Sequence, residues 1–185
     1  MKRLLFSSLL LLPALLLTVS PLAAQEKPRV SPHETDNATI DGNEVSVVYG
    51  RPYSKDPKGG EKRKIWGGIV PYGKVWRMGA DEATILTTKQ PIELGGTVIP
   101  AGSYSLFLLP EEGGDAKLIV NKQTGQWGTK HDEKQDLARV DLKKETATKA
   151  ADQFTIAIAK NDSGGGVLRM MWEDVQYSAP FKVTK

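Results

Sequence analysis

The sequence predicts an all-β domain, an antiparallel β-sandwich or jelly roll of about nine or ten short strands. Three observations lead to this fold class. Short runs of apolar and β-branched residues follow one another from Glu44 onward, and clusters of glycine, proline and asparagine separate these runs. No long segment carries the apolar spacing of an amphipathic helix, and residues 130–138 form the best short candidate.

The strand patterns follow in order along the chain. EVSVVYGR alternates apolar and polar residues, and ATILTTK is rich in β-branched residues. PIELGGTVIPAG predicts a hairpin that turns at Gly95 and Gly96, and SYSLFLLPEEGGDAKLIVNK predicts a second hairpin with residues 110–115 as its loop. ARVDLKKE adds a strand, and the C-terminal segment adds two or three more around a turn at residues 161–166. We expect the Tyr104 ring in the core, with its hydroxyl bonded to a nearby backbone group.

Residues 1–24 have the three parts of a secretory signal peptide, which are Lys2 and Arg3, a leucine-rich run, and small residues that end at Ala24. Pro13 interrupts the apolar run, which is shorter than the roughly 20 residues that span a bilayer. We therefore expect cleavage after Ala24 and no permanent membrane anchor. The predicted location is the periplasm or the outside of the cell.

The mature chain is predicted to have two parts. Residues 25–43 are polar and contain prolines, so we interpret them as an N-terminal linker that ends in a short first strand near residues 38–40. Residues 44–185 are long enough for one domain with its own core. The chain contains no cysteine, which excludes disulfides and lipid attachment through a cysteine, so the core must provide the stability alone.

The charge balance gives no reason to expect nucleic acid as a partner. Removal of the signal peptide takes away two of the 25 basic residues and none of the 22 acidic ones, which leaves a net charge of about +1. Nucleic-acid binding depends on clustered lysine and arginine side chains that neutralise phosphates. The basic run KDPKGGEKRK is rich in glycine and is expected to be a solvated loop.

The segment PYGKVWRMGADEAT, residues 71–84, concentrates aromatic and charged side chains between glycines. A two-residue turn at Gly79 and Ala80 would place Arg77 opposite Glu82. Such a pair has two interpretations: a structural ion pair that satisfies a partly buried charge, or a site at which a guanidinium binds a small polar ligand. Two loops that could lie beside the segment would add aromatic side chains to such a site. The candidate binding residues are Trp66, Tyr72, Trp76, Arg77, Asp81, Glu82 and Trp127.

The usual catalytic patterns are largely missing from the sequence. There are two histidines, His33 and His131, no thiol, and no serine in a G-x-S-x-G motif. On a strand, Asp81 and Glu82 would point to opposite faces and make a poor acid and base pair. The leading hypothesis is therefore non-enzymatic binding of a small polar ligand, a glycan or an envelope protein, without a metal or cofactor. A hydrolase that uses Glu82 with a second carboxylate about 5 to 9 Å away, and a structural or assembly module, remain alternatives.

Three motifs, RKIWGGIVPYGKVWRMGADEAT, IPAGSYSLFLLP and VNKQTGQWG, occur in order along the chain. Together they resemble a family of secreted bacterial proteins known as domain-of-unknown-function family twenty-nine eleven. The resemblance implies an exported β-rich domain and brings with it no activity, ligand or catalytic residue. Two positions depart from the family pattern, since Trp66 stands where phenylalanine is usual and Asp81 where asparagine is usual. The second change replaces an amide by a carboxylate and would alter hydrogen bonding at that position.

Overall fold

The computed structural model describes residues 29–184, which form two antiparallel β-sheets. One sheet has six strands in the order β1-β2-β3-β6-β7-β8, and the other has four in the order β5-β4-β10-β9. The strands are β1 (His33–Ile40), β2 (Asn43–Gly50), β3 (Thr84–Thr88), β4 (Ile92–Leu94), β5 (Thr97–Ile99), β6 (Gly102–Pro110), β7 (Ala116–Asn121), β8 (Asp136–Leu142), β9 (Lys144–Lys160) and β10 (Gly166–Val183). The predicted all-β sandwich is confirmed.

The core lies between the two sheets and is built by alternation along the strands. In β2, Val45, Val47 and Tyr49 are buried while the residues between them are more exposed. Because successive side chains of a strand point to opposite faces, this pattern gives the strand one face toward the opposite sheet. The largest fully buried side chains include Tyr49, Phe154, Trp172 and Tyr177. Within the described part of the chain, no helix is long and apolar enough to cross a membrane.

Both predicted hairpins are present. Strands β4 and β5 pair through Leu94 and Thr97, and the two glycines between them have positive φ angles of 57° and 78°, as a tight hairpin turn requires. Strands β6 and β7 form the second hairpin, with Pro110 paired to Ala116. The Tyr104 ring is buried and its hydroxyl donates to the Pro100 carbonyl oxygen at 3.0 Å, as expected. The turn residues and the alternation along the strands therefore account for both hairpins.

Two elements differ from the sequence-based expectation. Strand β1 (His33–Ile40) occupies much of the segment interpreted as a linker, because its backbone pairs with β2 over its whole length although most of its side chains are exposed. The best helix candidate contains only a short 3-10 helix, Glu133–Gln135, before β8 begins. As predicted, the C-terminal segment forms two strands around a turn, and β10 changes register against β9 around Glu173, whose φ is 55°. The predicted signal peptide lies outside the described residues.

Candidate functional site

The segment at residues 71–84 is not a hairpin. Trp76 forms a backbone bridge with Leu108, whereas Glu82 forms one with Trp127. Between them the chain makes an irregular loop in which Met78 and Asp81 have positive φ angles of 48° and 65°. The prediction of a two-residue turn at positions 79 and 80 was therefore wrong, because the reversal takes more residues than such a turn contains.

Close backbone approaches hold this loop in place. The Thr84 hydroxyl donates to the Met78 carbonyl oxygen at 2.7 Å, and the Ala80 amide donates to the Gly50 carbonyl oxygen at 3.3 Å. A Cβ atom at Gly50 would lie 2.4 Å from the Ala80 carbonyl oxygen, so only glycine fits at the end of β2 without displacing the loop. The conformation of this loop is therefore held by one hydrogen bond within the loop, by one hydrogen bond to the end of β2 and by the glycine at position 50.

The predicted ion pair between Arg77 and Glu82 is also wrong. Glu82 binds Arg29 instead, with guanidinium nitrogens 2.6 and 3.0 Å from its two carboxylate oxygens, and its Oε2 is 3.2 Å from His33 Nε2. The hydrogen bonds from Arg29 lower the pKa of Glu82 to about 2. Arg77 Nε donates to the Gly79 carbonyl oxygen at 3.2 Å. Arg29 could not be predicted as the partner of Glu82, because the two residues are 53 positions apart and no local sequence pattern connects them.

A cleft of about 510 Å³ opens beside the loop. Its walls come from the N-terminal segment, from Pro52 just after β2, from residues 63–81 and from residues 128–129. The loops at residues 63–73 and 125–132, which could lie beside the segment according to the sequence, do lie beside it. The lining residues are Val30, Ser31, Pro52, Arg63, Ile69, Pro71, Val75, Trp76, Arg77, Gly79, Ala80, Asp81, Gly128 and Thr129.

The two arginines of this cleft, Arg63 and Arg77, have no ionic partner within the part of the chain that the structure describes. Among residues 29–184, no carboxylate oxygen lies within 4.0 Å of either guanidinium. Arg63 donates from Nη2 to the Tyr53 carbonyl oxygen, and its Nε is buried without a hydrogen-bond partner. Gly128 makes room for Arg77, since a Cβ at Gly128 would lie 2.5 Å from Arg77 Cδ. The cleft therefore presents guanidinium groups that no carboxylate of residues 29–184 neutralises by direct contact.

The candidate aromatic residues divide into core and surface. Trp76 is buried, with its ring centroid 5.0 Å from that of Phe154, and it contributes to the lining of the cleft. Trp66 is half-buried and donates from Nε1 to the Trp172 carbonyl oxygen at 3.4 Å. Tyr72 and Trp127 are exposed near the cleft loops, but neither lines the cleft. The structure thus places Trp76, Arg77 and Asp81 together in the cleft, and it places Glu82 on the neighbouring surface with Arg29.

A group of possible metal ligands lies at that neighbouring surface. His33, Asp81 and Glu82 each offer one donor atom, and these atoms lie within 4.8 Å of one another. Asp81 Oδ2 is 3.9 Å from both Arg29 Nη1 and His33 Nε2. A cation at this position would have to displace the Arg29 guanidinium, which already donates two hydrogen bonds to Glu82. The group acts as an anchor for the N-terminal segment.

Taken together, the fold and the cleft define a β-sandwich domain with a side cleft shaped by one irregular loop. The chain belongs to the family described as protein of unknown function DUF2911, whose model matches residues 31–181. This match covers nearly all of the sandwich and confirms the resemblance seen in the three sequence motifs. No curated protein and no solved structure matches the chain significantly.

Proposed function

We propose that the protein binds a small anionic ligand in the cleft and does not catalyse a reaction. The observation that carries this proposal is the pair of guanidinium groups, Arg63 and Arg77, which line a cleft of about 510 Å³ and have no carboxylate partner among the described residues. The volume falls in the range of ordinary small-molecule sites.

Arginine is the side chain best suited to such a role. Its planar guanidinium presents donors in a fixed arrangement that matches a carboxylate or phosphate with two parallel hydrogen bonds. Arg77 uses only Nε in a hydrogen bond to the protein, and Arg63 uses only Nη2. Each guanidinium therefore keeps nitrogen donors that an anion can use. Because neither charge is neutralised by a neighbouring carboxylate, an anion entering the cleft gains the attraction of both.

The cleft also contains one carboxylate, that of Asp81, which would oppose an anion. Asp81 Oδ2 lies 3.9 Å from Arg29 Nη1, so the guanidinium of Arg29 partly offsets its charge. The balance of charges at the cleft walls is therefore positive.

Glu82 is poorly suited to the acid or base of a hydrolase. Its pKa is lowered to about 2 by the hydrogen bonds from Arg29, and a general acid or base works best with a pKa near the operating pH. The possible second carboxylate, Asp81, lies beside the same guanidinium, with its Oδ2 3.9 Å from Arg29 Nη1. These observations favour binding over catalysis. With the predicted signal peptide, we place this binding outside the cytoplasm.

The proposal is tested with the mature protein and a panel of organic acids, sugar acids and phosphate esters. Thermal shift identifies a ligand, and isothermal titration measures its affinity. A ligand at 100 times its Kd should stabilise the folded state by about 2.7 kcal/mol. Arg77→Met should weaken binding by about 1.5 to 3 kcal/mol, because it removes a charged hydrogen-bond donor.

Arg169→Met is the matched control, because Arg169 lies on β10 and does not line the cleft. This variant should bind as the unmodified protein does. If no anion binds, or if Arg77→Met and Arg169→Met behave alike, the proposed function is wrong.

A further inference from the structure

The cleft has an apolar side in addition to its arginines. Eight large hydrophobic side chains are exposed among the described residues, and three of them, Val30, Ile69 and Val75, line this one cleft. Pro52 and Pro71 extend the same walls. Single exposed apolar side chains are ordinary on a protein surface. Three that line the same cleft form an apolar surface that the apolar part of a ligand can cover.

We propose that the anion bound in the cleft is an amphiphile, a linear monocarboxylate of about eight to ten carbons whose head group pairs with the cleft arginines and whose chain covers the apolar wall. This inference rests on the proposed function and specifies its ligand class. At about 30 Å³ for each water-sized group, the cleft volume of about 510 Å³ holds about 17 such groups. A chain of this length therefore fits without filling the cleft completely.

The cost of desolvation favours a carboxylate head group over a phosphate. Arg63 and Arg77 attract either anion, but Asp81 also lines the cleft and repels both. A phosphate monoester carries between about 1.5 and 2 negative charges at neutral pH, whereas a carboxylate carries one. The more highly charged phosphate costs more to remove from water beside the apolar wall, whereas a carboxylate costs less and can accept two parallel hydrogen bonds from one guanidinium.

The chain-length dependence of affinity is the direct test. Isothermal titration of the mature protein with butanoate, hexanoate, octanoate and decanoate, each below its micelle concentration, should show tighter binding for each added methylene. Full burial of a methylene strengthens binding about fourfold, and in a cleft open on one side we expect about twofold. Octan-1-ol and inorganic phosphate serve as probes that carry only the apolar part or only the charge. Octan-1-ol should bind at least tenfold more weakly than octanoate.

Two valine variants separate the apolar wall from general surface effects. Val75→Ser should flatten the dependence on chain length while leaving the affinity for butanoate within about twofold. Val98→Ser is the matched control, since Val98 is 53% exposed on β5 and does not line the cleft, whereas Val75 is 37% exposed. Both positions are open enough for the substitution to leave the fold intact, which circular dichroism checks.

The outcomes distinguish this inference from the proposed function. Binding of short carboxylates or phosphate with no gain from added methylenes overturns the amphiphile and leaves the anion site standing. Equal binding of octan-1-ol and octanoate overturns both. Tighter binding of an acetylated tripeptide with a C-terminal leucine carboxylate than of octanoate overturns the fatty-acid assignment in favour of a peptide terminus. A dependence on chain length that Val75→Ser reduces and Val98→Ser does not supports the inference.

Discussion

The ion pair between Glu82 and Arg29 anchors the N-terminal segment to the domain, and its removal has a calculable effect on stability. Val30 and Ser31 of that segment form part of the cleft wall. Glu82→Gln removes the charge and keeps the size of the side chain. The pKa of Glu82 is about 2 in the folded protein against an ordinary 4.5, which would correspond to at most about 3.4 kcal/mol of stabilisation.

Solvent screening reduces this ceiling considerably. The Glu82 and Arg29 side chains are each 42% exposed, and exposed ion pairs contribute between about 0.2 and 1 kcal/mol. We therefore expect Glu82→Gln to lower the free energy of unfolding by about 1 kcal/mol at pH 7. Because the folded-state pKa is depressed, the stabilisation is complete above about pH 4.5 and is lost as the pH falls toward 2. The difference between variant and unmodified protein should shrink over that interval.

Urea denaturation at pH 7 and at pH 3 measures both quantities. Glu112→Gln is the control, because Glu112 is exposed in the loop between β6 and β7 and has no ion pair among the described residues. A double-mutant cycle with Arg29→Gln isolates the pairwise energy. A loss above about 3 kcal/mol, or a difference between variant and unmodified protein that does not change with pH, would refute the description of this pair as a surface anchor.

Two further changes test the surroundings of the site. Gly128→Ala should destabilise the fold by about 1 to 3 kcal/mol in urea and weaken anion binding in titration, because the new Cβ would lie 2.5 Å from Arg77 Cδ; unchanged affinity would show that Arg77 is not held by this contact. Burial alone would raise the pKa of the Asp136 carboxyl, but hydrogen bonds from Asn121, His131 and Arg139 hold it below its usual range. Asp136→Asn should therefore cost about 1 to 3 kcal/mol at pH 7 and less below pH 3.8, with anion affinity unchanged as the internal control.

The sequence predicts the sandwich well because the forces that build it are local or periodic. Gly95 and Gly96 have to adopt positive φ angles in a tight turn, and few other residues do so at low cost. The alternation in β2 tells which side chains enter the core before any partner strand is known. Tyr104 bonds to a carbonyl only four residues away. Each of these signals can be read within a short window of the chain.

The site is less accessible to such reasoning because long-range contacts decide its geometry. Arg29 reaches Glu82 across 53 residues, from a segment whose polar composition indicated a linker. The approach of Ala80 to Gly50 similarly depends on how β2 and the loop meet in space. A two-residue turn was the simplest local interpretation of Gly79, and it is excluded by the distant bridge partners of Trp76 and Glu82.

Asp81 shows how the family signature combines conformation and chemistry. Its φ of 65° lies in the left-handed region, where asparagine and aspartate are enriched several-fold over other non-glycine residues. Both the asparagine of the family pattern and the aspartate of this chain can therefore adopt the left-handed backbone conformation at this position. The left-handed conformation at this position therefore accounts for either residue without reference to its charge. Trp76 packs against Trp172 in the core at one end of the loop that carries Arg77, and the Thr84 hydroxyl bonds to the Met78 carbonyl oxygen at the other end. These contacts at both ends hold the position of Arg77.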